Sequence, residues 1–434
     1  MAARWRERRQ STNKNCAGFA FATGQPRMTD ARISRRRVYH ICGYDHARPD
    51  AVHGRLAREL RRFESTWGVS AVSSEPVVGA DLATWQVATT GPDWRVETEF
   101  RLLRWDDVVE AEAARPMWRR VSGGVLAFLD FVLAGALLRY LRTSWRYAMF
   151  FLYPFLILAA VGLFAFLGGA GMARATGSAL AGLGVGIGVF VVLFRLAERL
   201  VFLGLLFDDW IFSRRYIRWG DPVLDDRLQR VALELAGPAH ADAPDEIVIV
   251  AHSLGAVLAI DLLDRAIQAG LGQSDRTPRV VLLTVGSSTL KIGLHGAAAR
   301  FRAAVARVSA ARAVFWADYQ ARSDVMNFYD SDPLAEMGLP PTGSPLVRSV
   351  SIRRMLDPAR YPRIRRNWYR MHCQFVRGND RRAPYDYFML TCGPFSAEQQ
   401  ARSQEGAMLA LDSEGRISPS PAPMQNDPTE AARQ

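Results

Sequence analysis

The residues most able to do chemistry stand together at Ala251-His252-Ser253-Leu254-Gly255. The apolar run Ile247-Val248-Ile249-Val250 precedes them and reads as a buried strand. Ala256, Val257, Leu258 and Ile260 follow and read as the start of a helix. A serine on a sharp strand-to-helix turn holds its hydroxyl above a sheet. The residues two before and two after it approach each other closely and must be small. Ala251 and Gly255 meet that need. The plainer alternative is a strand-turn-helix in which Ser253 only caps the helix. A serine hydroxyl is a weak nucleophile at neutral pH. It needs a base within hydrogen-bond reach, and that base needs a carboxylate to orient it.

In this context the pentapeptide resembles the nucleophile elbow of the α/β-hydrolases, G-x-S-x-G in its usual form, with Ala251 in place of the first glycine. The resemblance implies a chain order of serine, acid, histidine. His295 and His372 are the histidines after Ser253. His295 follows Gly286-Ser287-Ser288 closely, near the helix after a strand, which does not suit the base. His372 lies beyond the last expected strand and is the implied base. The acid is expected after the strand containing Phe315 to Tyr319. Asp324, in Arg322-Ser323-Asp324-Val325, is first choice, Asp332 second and Asp318 third, and any of them could instead be a turn-forming aspartate. The resemblance also implies two oxyanion donors: the backbone N–H of Leu254, and the loop Cys42-Gly43-Tyr44, where Gly43 and Tyr44 resemble the strand-Gly-aromatic turn of lipases and esterases. It covers residues 36–110 and 220–395, departing from the family in an insertion before the nucleophile strand and in an early hairpin.

The elements that would position these residues can be read around them. Arg37 to Cys42 is an expected strand, followed by a helix over about 53–63 in which Leu56, Leu60 and Phe63 keep the period. Thr84–Thr89 and Trp94–Phe100 alternate on either side of Gly91-Pro92-Asp93, which predicts a hairpin. Further on, strands at 246–250, 280–285, 313–319 and 347–352 alternate with helices at 225–235 and 254–267. That pattern predicts an α/β fold, a mostly parallel sheet with helices on both faces.

Between the two halves lie uncharged runs of 27 residues (147–173) and 20 residues (175–194), separated by Arg174. About 20 helical residues cross a bilayer. A transmembrane helical hairpin with its juxtamembrane segment is therefore expected over 147–216, its tight turn in the small-residue stretch from Gly168 to Gly177. Gly182, Gly184, Gly186 and Gly188 offer small-xxx-small spacings for close helix contact. Arginines flank both ends: Arg139, Arg142 and Arg146 before, Arg195 and Arg199 after. Positive flanks stay inside. This predicts a multi-pass protein of the inner (cytoplasmic) membrane with the hydrolase domain and both termini cytoplasmic. Residues 117–146 read as a basic, amphipathic interfacial segment, and Leu200 to Phe212 as similarly interfacial.

The 434 residues carry a net charge of +12, and only Lys14 and Lys291 among the basic residues are not arginine. Guanidinium groups suit phosphates and anionic lipid headgroups. Arg353, Arg354, Arg360, Arg363, Arg365, Arg366 and Arg370 crowd the approach to His372, either as a lipid-docking face or as a solvated one. No recognition motif accompanies the charge, so no nucleic-acid partner is expected. The four cysteines lack metal-ligand spacing, and no cofactor or metal is expected. Residues 1–35 read as a disordered extension, or as one that begins too early, with Met28 as the alternative start, and 396–434 as a disordered tail. The expected domain pieces are thus 36–116 and 220–395. The expected function is a membrane-anchored serine hydrolase of lipid-like acyl esters. The alternative is a non-catalytic membrane protein that reuses the fold to bind a partner.

Overall fold

In a computed structural model, residues 32–237, 243–273 and 279–418 are described. Nine strands form one sheet: β1 (Arg35–Ile41), β2 (Ser70–Ser73), β3 (Val77–Val78), β4 (Leu82–Thr90), β5 (Arg95–Leu103), β6 (Glu246–His252), β7 (Val280–Val285), β8 (Val314–Ala321) and β9 (Leu346–Val350). Their order is β2-β4-β5-β1-β6-β7-β8-β9, with β3 also on β4. From β5 to β9 all neighbours are parallel, while β2, β3 and β5 run antiparallel to β4.

β6 sits between β1 and β7 and is buried along its whole length. A strand covered on both faces has no polar side to show, which is why it reads as an unbroken apolar run. Its residues still alternate between faces. Val248 and Val250 join a core with Phe63 and Phe388, so the helices Pro49–Trp67 and Tyr387–Cys392 cover that side. Ile247 and Ile249 face the helices Pro222–Ala236, Gly255–Gln268 and Ala299–Ala310 through Leu228, Leu262 and Val305. The expected α/β class, the parallel centre and the early hairpin are all present.

Among the described residues two helices are long and apolar enough to cross a membrane, Trp145–Thr176 and Ala179–Val201, and Met117–Leu133 with Ala136–Thr143 passes the same test only as a bent pair. Trp145–Thr176 runs on through Gly168 to Gly171, and the chain turns only at the end of the expected stretch. The reversal comes at Gly177, in the left-handed region at φ 69°, and Ser178, whose hydroxyl caps the next helix. The glycines serve contact instead. A Cβ on Gly182 would lie 2.6 Å from the Gly169 carbonyl oxygen, and one on Gly169 would lie 2.8 Å from that of Gly182.

Residues 117–143 form two helices, Met117–Leu133 and Ala136–Thr143, bent by 70° at Gly135. Leu126, Leu129 and Leu133 are exposed, whereas Ala127 and Phe131 are buried. Asp130, within this apolar stretch, bonds Arg218 at 2.5 Å. The segment from Leu200 to Phe212 differs from its interfacial reading. The helix Leu203–Arg218 buries Phe207, Trp210 and Phe212, and Arg120 pairs with Asp208 at 2.7 Å. Rings from several elements surround Trp210, with Phe131 at 5.0 Å and Phe151 at 4.7 Å, so this helix is internal.

The reading of 396–434 as disordered is corrected as far as Ser418. Ala397–Arg402 is helical with Ala397 and Ala401 buried, and Leu411 pairs with Ile417. Trp94 Nε1 donates to the Gly415 carbonyl at 2.9 Å, so this polar, small-residue stretch is held by contacts from distant parts of the chain. At the other end, Arg32 pairs with Phe395. The remaining parts of both terminal readings, residues 1–31 and 419–434, lie outside the described residues.

Candidate active site

Ser253 sits between the end of β6 and the helix Gly255–Gln268 at φ +54°, a conformation rare for residues with a Cβ. Strain of this kind costs on the order of 1–3 kcal/mol and persists only where the surroundings enforce it. Here they do. The Ser253 N–H donates to the Val285 carbonyl at 3.1 Å, and its carbonyl accepts from the Ser288 N–H at 3.0 Å, so the turn is pinned to the loop after β7. The helix start approaches β1 so closely that a Cβ on Gly255 would lie 2.4 Å from the Ile41 carbonyl oxygen.

The carboxylate beside His372 comes from the turn after β8. Asp324 is buried, and its Oδ1 accepts from the Met326 N–H at 2.9 Å. Asn327 Nδ2 donates to the Ala321 and Asp324 carbonyls, both at 2.9 Å, closing the turn. The carboxylate's other oxygen, Oδ2, lies 2.7 Å from His372 Nδ1, which donates to it. His372 ends the short helix Trp368–His372, whose start is capped by Asn367 accepting from the Arg370 N–H. The imidazole is buried, and its Nε2 has no hydrogen-bond partner among the described residues. Its Cε1 stands 3.1 Å from where a Cβ on Gly286 would be, one residue beyond the carbonyl that pins Ser253.

Ser253 and His372 line one cleft of about 1070 Å³, open mouth included. In this state the Ser253 hydroxyl is 3.5 Å from that of Ser288. Gly43 lines the same cleft. The backbone N–H groups of Gly43, Tyr44 and Leu254 donate to no backbone group among the described residues. The Tyr44 ring packs on Trp105 and Phe212 at 5.7 and 5.8 Å.

The chain matches no protein-family model, no curated protein and no solved structure. Site and fold therefore carry the functional argument alone.

The other carboxylates considered from the sequence stand elsewhere. Asp332 is exposed and caps the helix Pro333–Glu336, accepting from the Leu334 N–H at 2.9 Å. Asp318 is buried on β8, accepting from Thr284 Oγ1 at 2.5 Å and Gln320 Nε2 at 2.7 Å. Burial pushes its carboxyl up to about 6, against the lowering effect of those two bonds. His295 lies 3.4 Å from Asp130 and stacks edge-on to Phe131.

His252 has a part that sequence reasoning missed. Its Nε2 donates to the His372 carbonyl at 3.1 Å, and the two rings lie 4.4 Å apart. Burial, and next the neighbouring His372, hold its pKa well below the ordinary value, so it stays neutral and keeps that proton. His252 stands in the pentapeptide Ala251–Gly255, but only folding brings residue 372 against it.

His40, Trp85, Tyr387 and Phe388, all buried, line one part of the cleft. Phe202, Leu205 and Leu206 line another, where the second apolar helix passes into the internal helix. The Phe202 ring lies 5.5 Å from that of Tyr369, and the adjacent Trp368 packs on Phe150 and Tyr153 of the first apolar helix.

Proposed function

We propose that this protein is a membrane-anchored serine hydrolase of α/β-hydrolase type that cleaves lipid-like acyl esters. One observation carries the reading: Asp324 holds Nδ1 of a buried His372 whose Nε2 has no hydrogen-bond partner among the described residues, and His372 lines the same cleft as a serine in a strained elbow. With Nδ1–H held by Asp324, Nε2 is the basic nitrogen of the neutral ring.

Ser253 Oγ attacks the ester carbonyl while its proton passes to His372 Nε2. Asp324 steadies the resulting imidazolium. The oxyanion takes hydrogen bonds from the Leu254 N–H and from the Gly43–Tyr44 backbone. His372 then protonates the departing alcohol, leaving an acyl-serine. Water, deprotonated by the same nitrogen, releases the acid and restores the serine.

Two features support a lipid-like acyl group. The cleft's lining includes Val52, Leu56, Trp85 and Phe388, and Phe202, Leu205 and Leu206 add apolar side chains from the segment that follows the second apolar helix. The arginine-rich flanks of the hairpin support an inner-membrane location with the hydrolase domain and both termini cytoplasmic. A fluorophosphonate probe should label the full chain in membranes and fail to label Ser253→Ala. Folded wild type that resists labelling would sink this reading in favour of partner binding.

A further inference from the structure

A second groove, of about 1270 Å³ with its open mouth, lies at the base of the first apolar span. Trp145, Arg146 and Met149, from the first turns of that span, form one wall. Arg322, Ser323 and Arg353 face them. Its lining includes three arginines and no aspartate or glutamate. Arg322 and Arg353 are exposed. Arg146 donates to the Arg322 carbonyl at 2.6 Å, which fixes its guanidinium at the rim. Positive charge with no acidic side chain in the groove's described lining calls for an anion, and guanidinium N–H groups match phosphate oxygens in geometry as well as charge. The remaining lining decides which anion. Trp145 is 65% exposed and Met149 43%, and above them the same helix exposes Leu156 and Leu163. A free phosphate has no use for that apolar path, whereas a lipid's acyl chains do.

We propose that this groove binds the phosphate headgroup of an anionic phospholipid, with its chains lying along the first span. Arg322 and Arg353 hold the phosphate, and Trp145 marks the headgroup level, where indole rings favour the membrane interface. The inference rests on the hairpin standing in a bilayer and not on the hydrolase chemistry. Ser323 and Val325 line the groove while Asp324 between them turns to His372, so the headgroup sits beside the acid-bearing turn.

Native mass spectrometry of the full chain, released from detergent holding equal phosphatidylglycerol and phosphatidylcholine, tests this without any activity readout. Wild type should retain one phosphatidylglycerol in preference to phosphatidylcholine. Arg322→Gln/Arg353→Gln should lower that retention by roughly thirtyfold, the effect of two charges near an anionic headgroup. Arg365→Gln/Arg366→Gln removes the same charge from exposed positions outside the groove and should retain the lipid. Absence of preference in wild type overturns the proposal, and that result needs no variant. Equal loss in the control pair also overturns it, by reducing binding to general surface attraction. Displacement of the lipid by equimolar inorganic phosphate would do the same, by assigning the groove to the free anion.

Discussion

Gly43 and Ser253 approach so closely that a Cβ on the first would lie 2.8 Å from Cβ of the second. Real side chains do not tolerate that spacing, so Gly43→Ala must move either the loop after β1 or the elbow. Both carry the proposed oxyanion donors. Loss of one such donor lowers kcat by about 100- to 1,000-fold. The expected result for Gly43→Ala is a fall in fluorophosphonate labelling rate of about 100-fold. An unchanged rate in a folded variant would remove Gly43 from the machinery.

The Asp324–His372 bond separates two aspartates that look alike in sequence. Asp324→Asn should leave the imidazole in the wrong tautomer and lower the labelling rate roughly 1,000- to 10,000-fold. Asp332→Asn keeps a capping side chain on the helix Pro333–Glu336, so rate and melting temperature should stay near wild type. Comparable losses in both variants would contradict the assignment of Asp324.

Much of this arrangement is legible before folding, and the limits have physical causes. β6 and the helix after Ser253 are fixed by local pattern, because burial on both sheet faces forces an apolar run. Asp324 can be ranked but not chosen, since its partner lies 48 residues away and only folding joins them. The polar segment 396–418 has no apolar period to reveal it. Its order comes from buried side chains such as Ala397, Ala407 and Leu411 and from bonds to distant residues such as Trp94 with Gly415. The internal helix Leu203–Arg218 misleads because its charges, Asp208 and Asp209, look solvent-facing until Arg120 and Lys291 are placed against them.

Asp318 should make stability depend on pH. Burial raises its folded carboxyl to about 6, above the ordinary value near 4. The native state therefore favours the protonated form. Its contribution is fully present below about pH 4 and is lost as pH rises through about 6. About two pH units correspond to roughly 3 kcal/mol. Asp318→Asn cannot ionise, so it should melt higher than wild type at pH 7.5, with the gap narrowing towards pH 4. Thermal melts of both proteins in detergent at the two pH values would show this. Parallel pH dependence in the two would assign the titration elsewhere.

The hairpin offers the sharpest contrast between neighbouring glycines. Gly182 and Gly184 both lie in the second apolar helix, two residues apart and therefore on different faces. A Cβ on Gly182 would meet the Gly169 carbonyl at 2.6 Å and the Ala173 Cβ at 2.7 Å, whereas one on Gly184 would meet nothing within 4 Å. Backbones pressed this close gain van der Waals contact that a larger residue removes. Gly182→Leu should force the helices apart and cost about 1–3 kcal/mol, the usual range for overpacking. Gly184→Leu adds a side chain on the open face, replaces a poor helix former and should leave stability unchanged or slightly higher. Melting of the full chain in detergent distinguishes the two. Equal destabilisation would mean that the small residues are not what holds the hairpin together.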